Sequence, residues 1–222
     1  MKRFLFRLAC VVFFVAAGPL QAQSAGKGYI ELTSAPKPAA RGEVIEFFIY
    51  ACPHCAGFHA QVEAWRKRLP AGTVYRRVPV AFRQDLAPHV QMYYALESIG
   101  RADDVHAKLF DAIWDKKMPL RQPEEQADFL AKLGVDRKRY LDALQSFQVQ
   151  AKVRESAKMV HTYKLDSVPA LAINGRYLTG VAIAGTNTEA LRVAEQLLAG
   201  QTVQRGRPAD DAPVPGGGGS SN

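Results

Sequence analysis

The sequence predicts an α/β fold interrupted by an all-helical insertion. Three observations carry that reading. A β-rich, nearly all-apolar pattern at residues 43–50 runs directly into a helix that opens with Cys52-Pro53-His54-Cys55. Residues 84–163 show apolar residues recurring at helical spacing. Strand chemistry then returns at Val168-Pro169-Ala170-Leu171-Ala172-Ile173, followed by Asn174-Gly175. The expected divisions are a leader at 1–22, a first α/β part at 23–83, the helical insertion at 84–163, a second α/β part at 164–200 and a disordered tail at 201–222.

At the start, Lys2, Arg3 and Arg7 precede an apolar run over residues 8–17, then Gly18-Pro19 and Gln21-Ala22. This is the pattern of a secretory signal peptide cleaved near Ala22. A membrane-spanning helix needs about 20 uninterrupted apolar residues, more than this run supplies. Cys10 leaves with the peptide, so the mature chain holds only Cys52 and Cys55. Removing 22 of 222 residues leaves 200, and the net charge falls from +8 to +5 because three bases and no acid depart. The remaining Lys and Arg are scattered among acids and form no nucleic-acid footprint. A small disulfide-stapled scaffold would use several widely spaced cysteine pairs. One bridge across two residues constrains the unfolded chain little, so its value is chemical.

Along the mature chain, residues 24–28 read as a flexible lead-in, residues 29–32 as a short strand, and Pro36, Pro38 and Gly42 as loop punctuation. Pro53 suits a first helical position, and Cys55, Phe58, Val62, Trp65 and Leu69 form one buried stripe. Cys55 is thereby expected on the core face and Cys52 at the solvent rim. Residues 73–82 read as a strand, with Pro79 marking an irregularity or an edge. In the insertion, one helix ends at Gly100, another starts near Asp103 or Asp104, a third is stopped by Gly134, and Asp136 caps a fourth that continues or bends through Val160. Asn174-Gly175 signals a two-residue hairpin, and Thr186 to Glu189 has capping-box spacing before a last helix stopped by Gly200.

Strand, Cys-x-x-Cys helix, strand, insertion, hairpin and helix follow the thioredoxin plan. Glu46-Phe47-Phe48, Cys52-Pro53-His54-Cys55, Val168-Pro169 and Asn174-Gly175, in that order over roughly residues 27–200, resemble the DsbA family of periplasmic thiol:disulfide oxidoreductases. The resemblance implies a monomeric thioredoxin-fold enzyme that introduces disulfides into unfolded secreted proteins. It needs no cofactor beyond the Cys52–Cys55 disulfide, and a quinone-linked membrane partner of the DsbB type reoxidises it. It also implies that Glu46 lies beneath the site as a proton acceptor for Cys55, with Arg77 near its basic partner. Pro169 becomes a cis-proline that leaves the Val168 backbone free to pair with a bound peptide. Ala56-Gly57 and His59 depart from the bulkier or acidic residues of other members.

The residues support this chemistry independently. Unpaired N–H groups at a helix start stabilise a thiolate at Cys52, and His54 adds a donor or a charge beside it. A stabilised thiolate makes the reduced form more favourable and the disulfide more oxidising. Bland readings stand beside it: a structural bridge for the cysteines, an acid at a strand edge for Glu46, a solvated base for Arg77, and packing or surface roles for His59, His89, His106 and His161. A zinc site through Cys52, Cys55, His54 or His59 lacks a second cysteine pair. The functional alternatives are a disulfide isomerase or reductase and a peptide-binding holdase.

Overall fold

The computed structural model describes residues 28–32, 42–201 and 203, so the expected leader with Cys10, the loop prolines Pro36 and Pro38, and nearly all of the expected tail lie outside the described residues. The first elements are β1 (Ile30–Glu31), β2 (Glu43–Phe48), α1 (Pro53–Arg66) and β3 (Val74–Pro79). Every residue of β2 is buried, Glu43 and Glu46 included, as a nearly all-apolar strand covered on both faces requires. The strand stops at Phe48, two residues short of the apolar pattern, because residues 49–52 turn: Cys52 N–H donates to Ile49 C=O at 3.1 Å. Helix α1 buries Cys55, Phe58, Val62 and Trp65 but ends before Leu69, which is half-buried. Pro70 disfavours helical backbone at the residue before it, which explains why the stripe falls one turn short.

A 3₁₀ turn at Gln84–Leu86 leads into α2 (Ala87–Ser98), α3 (Ala102–Trp114), α4 (Pro123–Ala131), α5 (Arg137–Gln145) and α6 (Phe147–Thr162). Asp103 and Asp104 lie within the first turn of α3, where the helix dipole favours acids. The expected continuous or bent helix is two helices. Asp136 caps α5 by accepting from Arg139 N–H at 2.7 Å, and Ser146 opens α6 by accepting from Val149 N–H at 3.2 Å.

The second α/β part supplies β4 (Ala170–Ile173), β5 (Tyr177–Gly180), the short α7 (Val181–Ala184) and α8 (Asn187–Leu198). The sheet order is β1-β5-β4-β2-β3, with β2 parallel to β3 and antiparallel to β4. β3 is an edge strand, and Pro79 ends it there, where a missing N–H is tolerated. Asn174 and Gly175 take φ of 52° and 61°, as their tight hairpin turn demands. Asn174 Oδ1 also accepts from the backbone N–H of Gly42 and Glu43, at 2.9 and 3.2 Å, tying the hairpin to the start of β2. Only half of the capping box forms: Thr186 Oγ1 accepts from Glu189 N–H at 3.1 Å, while the Glu189 carboxylate pairs with Arg192.

One sheet face, with Val44, Leu171 and Ile173, packs on α1 and α8 through Phe58, Val62, Trp65 and Val193. The opposite face holds Ile45, Phe47 and Val78 with Tyr163 and Leu165. The core of the insertion takes in Phe48, Tyr50 and Cys55, so the helices pack directly against the residues around the cysteines. This is an α/β thioredoxin core carrying an inserted all-helical part.

Candidate active site

Cys52 is the N-cap of α1, with extended backbone and Pro53 at the first helical position. A residue there aims its side chain at the amides of the second and third helical positions, which no intrahelical carbonyl satisfies. Here those amides belong to His54 and Cys55, and the aimed group is a thiol. The three-residue offset that places a capping box also places Cys55 against Cys52. Cys55 is 2% exposed, Cys52 is half-buried and His54 is exposed; both cysteines are free thiols in this structure.

That geometry splits the two sulfurs electrostatically. The Cys52 pKa is lowered to about 6, mainly because the Cys55 thiol donates to its sulfur; burial opposes this, and the Cys55 and His54 amides and the His54 ring assist. Burial first, and then its donation to Cys52, push Cys55 far above an ordinary thiol. A folded-state value below the unfolded one, about 8.5 for a thiol, stabilises the reduced protein above that pH and is lost as pH falls through about 6. Urea unfolding of the reduced and oxidised forms is therefore expected to show the advantage of the reduced form shrinking between pH 8 and pH 5. A difference that stays flat over this range would sink the thiolate.

Beneath the cysteines, Glu46 is 3% exposed on the central strand β2, so it is no strand-edge acid. Tyr75 O–H donates to Glu46 Oε2 at 2.6 Å. Arg77 Nε lies 3.5 Å from the same oxygen, an ion-pair separation without a hydrogen bond. Arg77 is 6% exposed, which overturns its reading as a solvated base, and its guanidinium also pairs with Glu63 and Asp103. Burial raises the Glu46 pKa above the ordinary carboxylate range, against the pull of Tyr75 and Arg77. Burial would lower that of Arg77, but the facing Glu46 and Glu63 raise it overall.

The Val168–Pro169 peptide bond is cis. Cys52 Sγ–H reaches the Val168 carbonyl at 3.6 Å, so that oxygen is not wholly free while Cys52 is a thiol. A thiolate or a disulfide sulfur has no proton to donate and would release it. Ala170 stands opposite Gly180 in the β4–β5 ladder, bringing the backbone of residues 169–170 against a residue without a side chain.

Sequence reasoning passed over Gly180, Tyr75 and the surroundings of Tyr50. No local signal marks them, because their partners are brought close only by the sheet or the insertion. Among the histidines, His89 and His106 are buried, His59 is half-buried and His161 is exposed. Among the described residues, no group of three or more His, Cys, Asp or Glu could hold a metal ion.

A family model described as Thioredoxin matches residues 36–189. The thiol:disulfide interchange protein DsbA of Burkholderia cepacia is 44% identical over 176 residues, covering 76% of this chain and 82% of the relative. Its namesake in Pseudomonas aeruginosa is 37% identical over 194 residues, covering 86% and 92%. The crystal structure of Pseudomonas aeruginosa DsbA superposes with a TM-score of 0.75 at 36% identity, covering 78% of this chain and 92% of that one. The oxidoreductase DsbA of Xylella fastidiosa gives 0.72 at 28% identity, covering 78% and 94%. Because the likeness takes in the cysteine helix, the insertion and the Val168-Pro169 strand together, this chain belongs to the DsbA family, as an enzyme that exchanges thiols and disulfides through Cys52 and Cys55.

Proposed function

We propose that the chain works in the periplasm, after losing its leader near Ala22, as a monomeric dithiol oxidase that introduces disulfides into secreted proteins. The observation that carries this reading is the asymmetry of the two sulfurs: a half-buried Cys52 with its pKa near 6 beside a buried Cys55 with its pKa raised. A sulfur so stabilised as thiolate is a good leaving group and a poor partner for a stable disulfide.

The cycle begins when a client thiolate attacks Cys52 Sγ in the Cys52–Cys55 disulfide. A client–Cys52 bond forms, the Cys52–Cys55 bond breaks, and Cys55 departs with the electron pair. Its raised pKa requires a proton, which Glu46, an acid with a raised pKa whose charge is felt at Cys55, gives up, Arg77 stabilising the carboxylate until Cys55 returns the proton on reoxidation. A second client thiolate attacks the client sulfur of the mixed disulfide and expels the Cys52 thiolate. The client loses two electrons and the enzyme gains them as a dithiol. A quinone-linked membrane partner of the DsbB type then removes them. Val168 and Pro169 border the reacting sulfur, and the Val168 carbonyl pairs with the client backbone once Cys52 is not a thiol. Ala81 lines an apolar cavity of about 250 Å³ with the exposed Phe82 and with Val90 and Val153, which suits an unfolded client.

The test is the reduction potential of the pair, measured against glutathione, together with Cys55→Ala. The disulfide is expected to be more oxidising than glutathione, and the variant, with Cys52 first loaded as a mixed disulfide with thionitrobenzoate that leaves as a client thiolate attacks, is expected to trap mixed disulfides with reduced secreted proteins. A potential at or below that of glutathione points to a reductase. Failure to trap any client leaves only a holdase with a structural bridge.

A further inference from the structure

Tyr50, two residues before Cys52, is held at both ends by one helix of the insertion. It is 1% exposed, and its hydroxyl lies 2.7 Å from His106 Nδ1. Burial raises the phenol pKa well above its usual value, so the hydroxyl keeps its proton and donates it, leaving His106 with its own proton on Nε2. The other end of the residue is the backbone carbonyl, which accepts from Trp114 Nε1–H at 2.9 Å. His106 and Trp114 stand two turns apart on α3, and Trp114 is its last residue. Phe110 lies between them, with its ring centroid 5.0 Å from that of Tyr50 and 5.3 Å from that of His106.

What this grip controls is the turn at residues 49–52. Tyr50 is its first central residue, and a hydrogen bond from Cys52 N–H to Ile49 C=O closes it. The turn fixes the direction in which the chain enters Cys52 and so constrains the Cys52 ψ, which sets where its sulfur falls relative to the first amides of α1. No side-chain hydrogen bond caps α1, so nothing within that helix fixes the approach. From this geometry we infer that Trp114 and His106 are positioning residues for disulfide exchange, holding Tyr50 so that the turn presents the Cys52 sulfur to the α1 amides. The helical insertion thus sets the reactivity of the cysteine pair through the turn before it, at residues separated by 64 positions in the chain.

The inference rests on Cys52 being the attacked sulfur, and its test separates the two. Trp114→Phe keeps an aromatic ring and removes the N–H, and Tyr50→Phe removes only the hydroxyl. The Cys52 pKa, read from thiolate absorbance of the reduced protein, is expected to rise by about one unit in Trp114→Phe, moving its equilibrium with glutathione about tenfold toward the oxidised protein. Tyr50→Phe is expected to move both in the same direction by less. Trp65→Phe, in the buried stripe of α1, serves as a packing control that lowers stability and leaves the Cys52 pKa in place. If Trp114→Phe and Tyr50→Phe alter only stability, as the control does, the positioning role is wrong. An ordinary thiol pKa in the unaltered protein would instead overturn the reading of Cys52 itself.

Discussion

Gly180→Ala is expected to destabilise the protein by about 1–3 kcal/mol and to slow disulfide transfer to a client peptide, through overpacking at the Val168-Pro169 strand. A Cβ at residue 180 would stand 2.5 Å from the Pro169 carbonyl oxygen and 3.1 Å from Ala170 Cα. Both obstacles are backbone, so no rotamer change relieves them. Relief requires β4 and β5 to part where Ala170 faces Gly180, which shifts the Val168-Pro169 backbone relative to Cys52. Gly57→Ala is the informative comparison. Its Cβ meets nothing within 4 Å, and in the helix interior it is expected to gain roughly 0.5–1 kcal/mol. Urea midpoints and transfer rates measured on both variants decide the matter: a Gly180→Ala protein with unaltered midpoint and rate would show that the strand pair tolerates the extra carbon.

Arg77→Met is expected to cost about 3–5 kcal/mol at neutral pH, the penalty for stranding a buried charge. Arg77 is the nearest cation to Glu46 and also pairs with Glu63 and Asp103. Without it, Tyr75 remains the hydrogen-bond donor to a carboxyl that burial already pushes toward protonation. The sign of the pH dependence follows. A raised folded-state pKa in an acid lowers stability as pH climbs from the unfolded value, about 4.3, toward the folded one. Arg77→Met lifts that folded value further, so its deficit is greatest at neutral pH and shrinks on acidification, where Glu46 is protonated with or without its partner. Loss of the Glu63 pairing acts in the same direction, because the Glu63 carboxylate is also neutralised by acid. Glu46→Gln in the same protein is expected to restore part of the loss, since no buried carboxylate remains to be stranded. Denaturant unfolding of both single variants and the double variant between pH 4 and pH 8 would falsify the coupling if the losses simply added.

How far these features can be seen in the chain depends on the distance over which each is encoded. The Cys52 and Cys55 arrangement is local. Pro53 starts a helix, the thiol ahead of it occupies the cap, and the periodicity through Trp65 assigns Cys55 to the buried side. Asn174-Gly175 likewise carries its own backbone requirement, and both residues adopt positive φ. Helix ends were less legible, since the stop before Leu69 and the break at Ser146 come from a proline and a cap competing with apolar periodicity. Glu46 could be noticed as an acid in an apolar strand, but its burial depends on β4 and β3 flanking β2. Arg77 is one of two bases in its strand, and nothing adjacent to it separates it from Arg76, whose guanidinium is more exposed.

The sequence by itself determined the thioredoxin plan with its helical insertion, the chemistry of the cysteine pair and the division of labour between its two sulfurs. Helix capping and periodicity act within a few residues and need no knowledge of the remaining chain. Only the tertiary structure decided that Arg77 faces Glu46, that Gly180 makes room for Pro169, and that Trp114 and His106 grip Tyr50. Those contacts join residues in different elements of the chain, and tertiary packing, which leaves no periodic mark on the sequence, selects each partner.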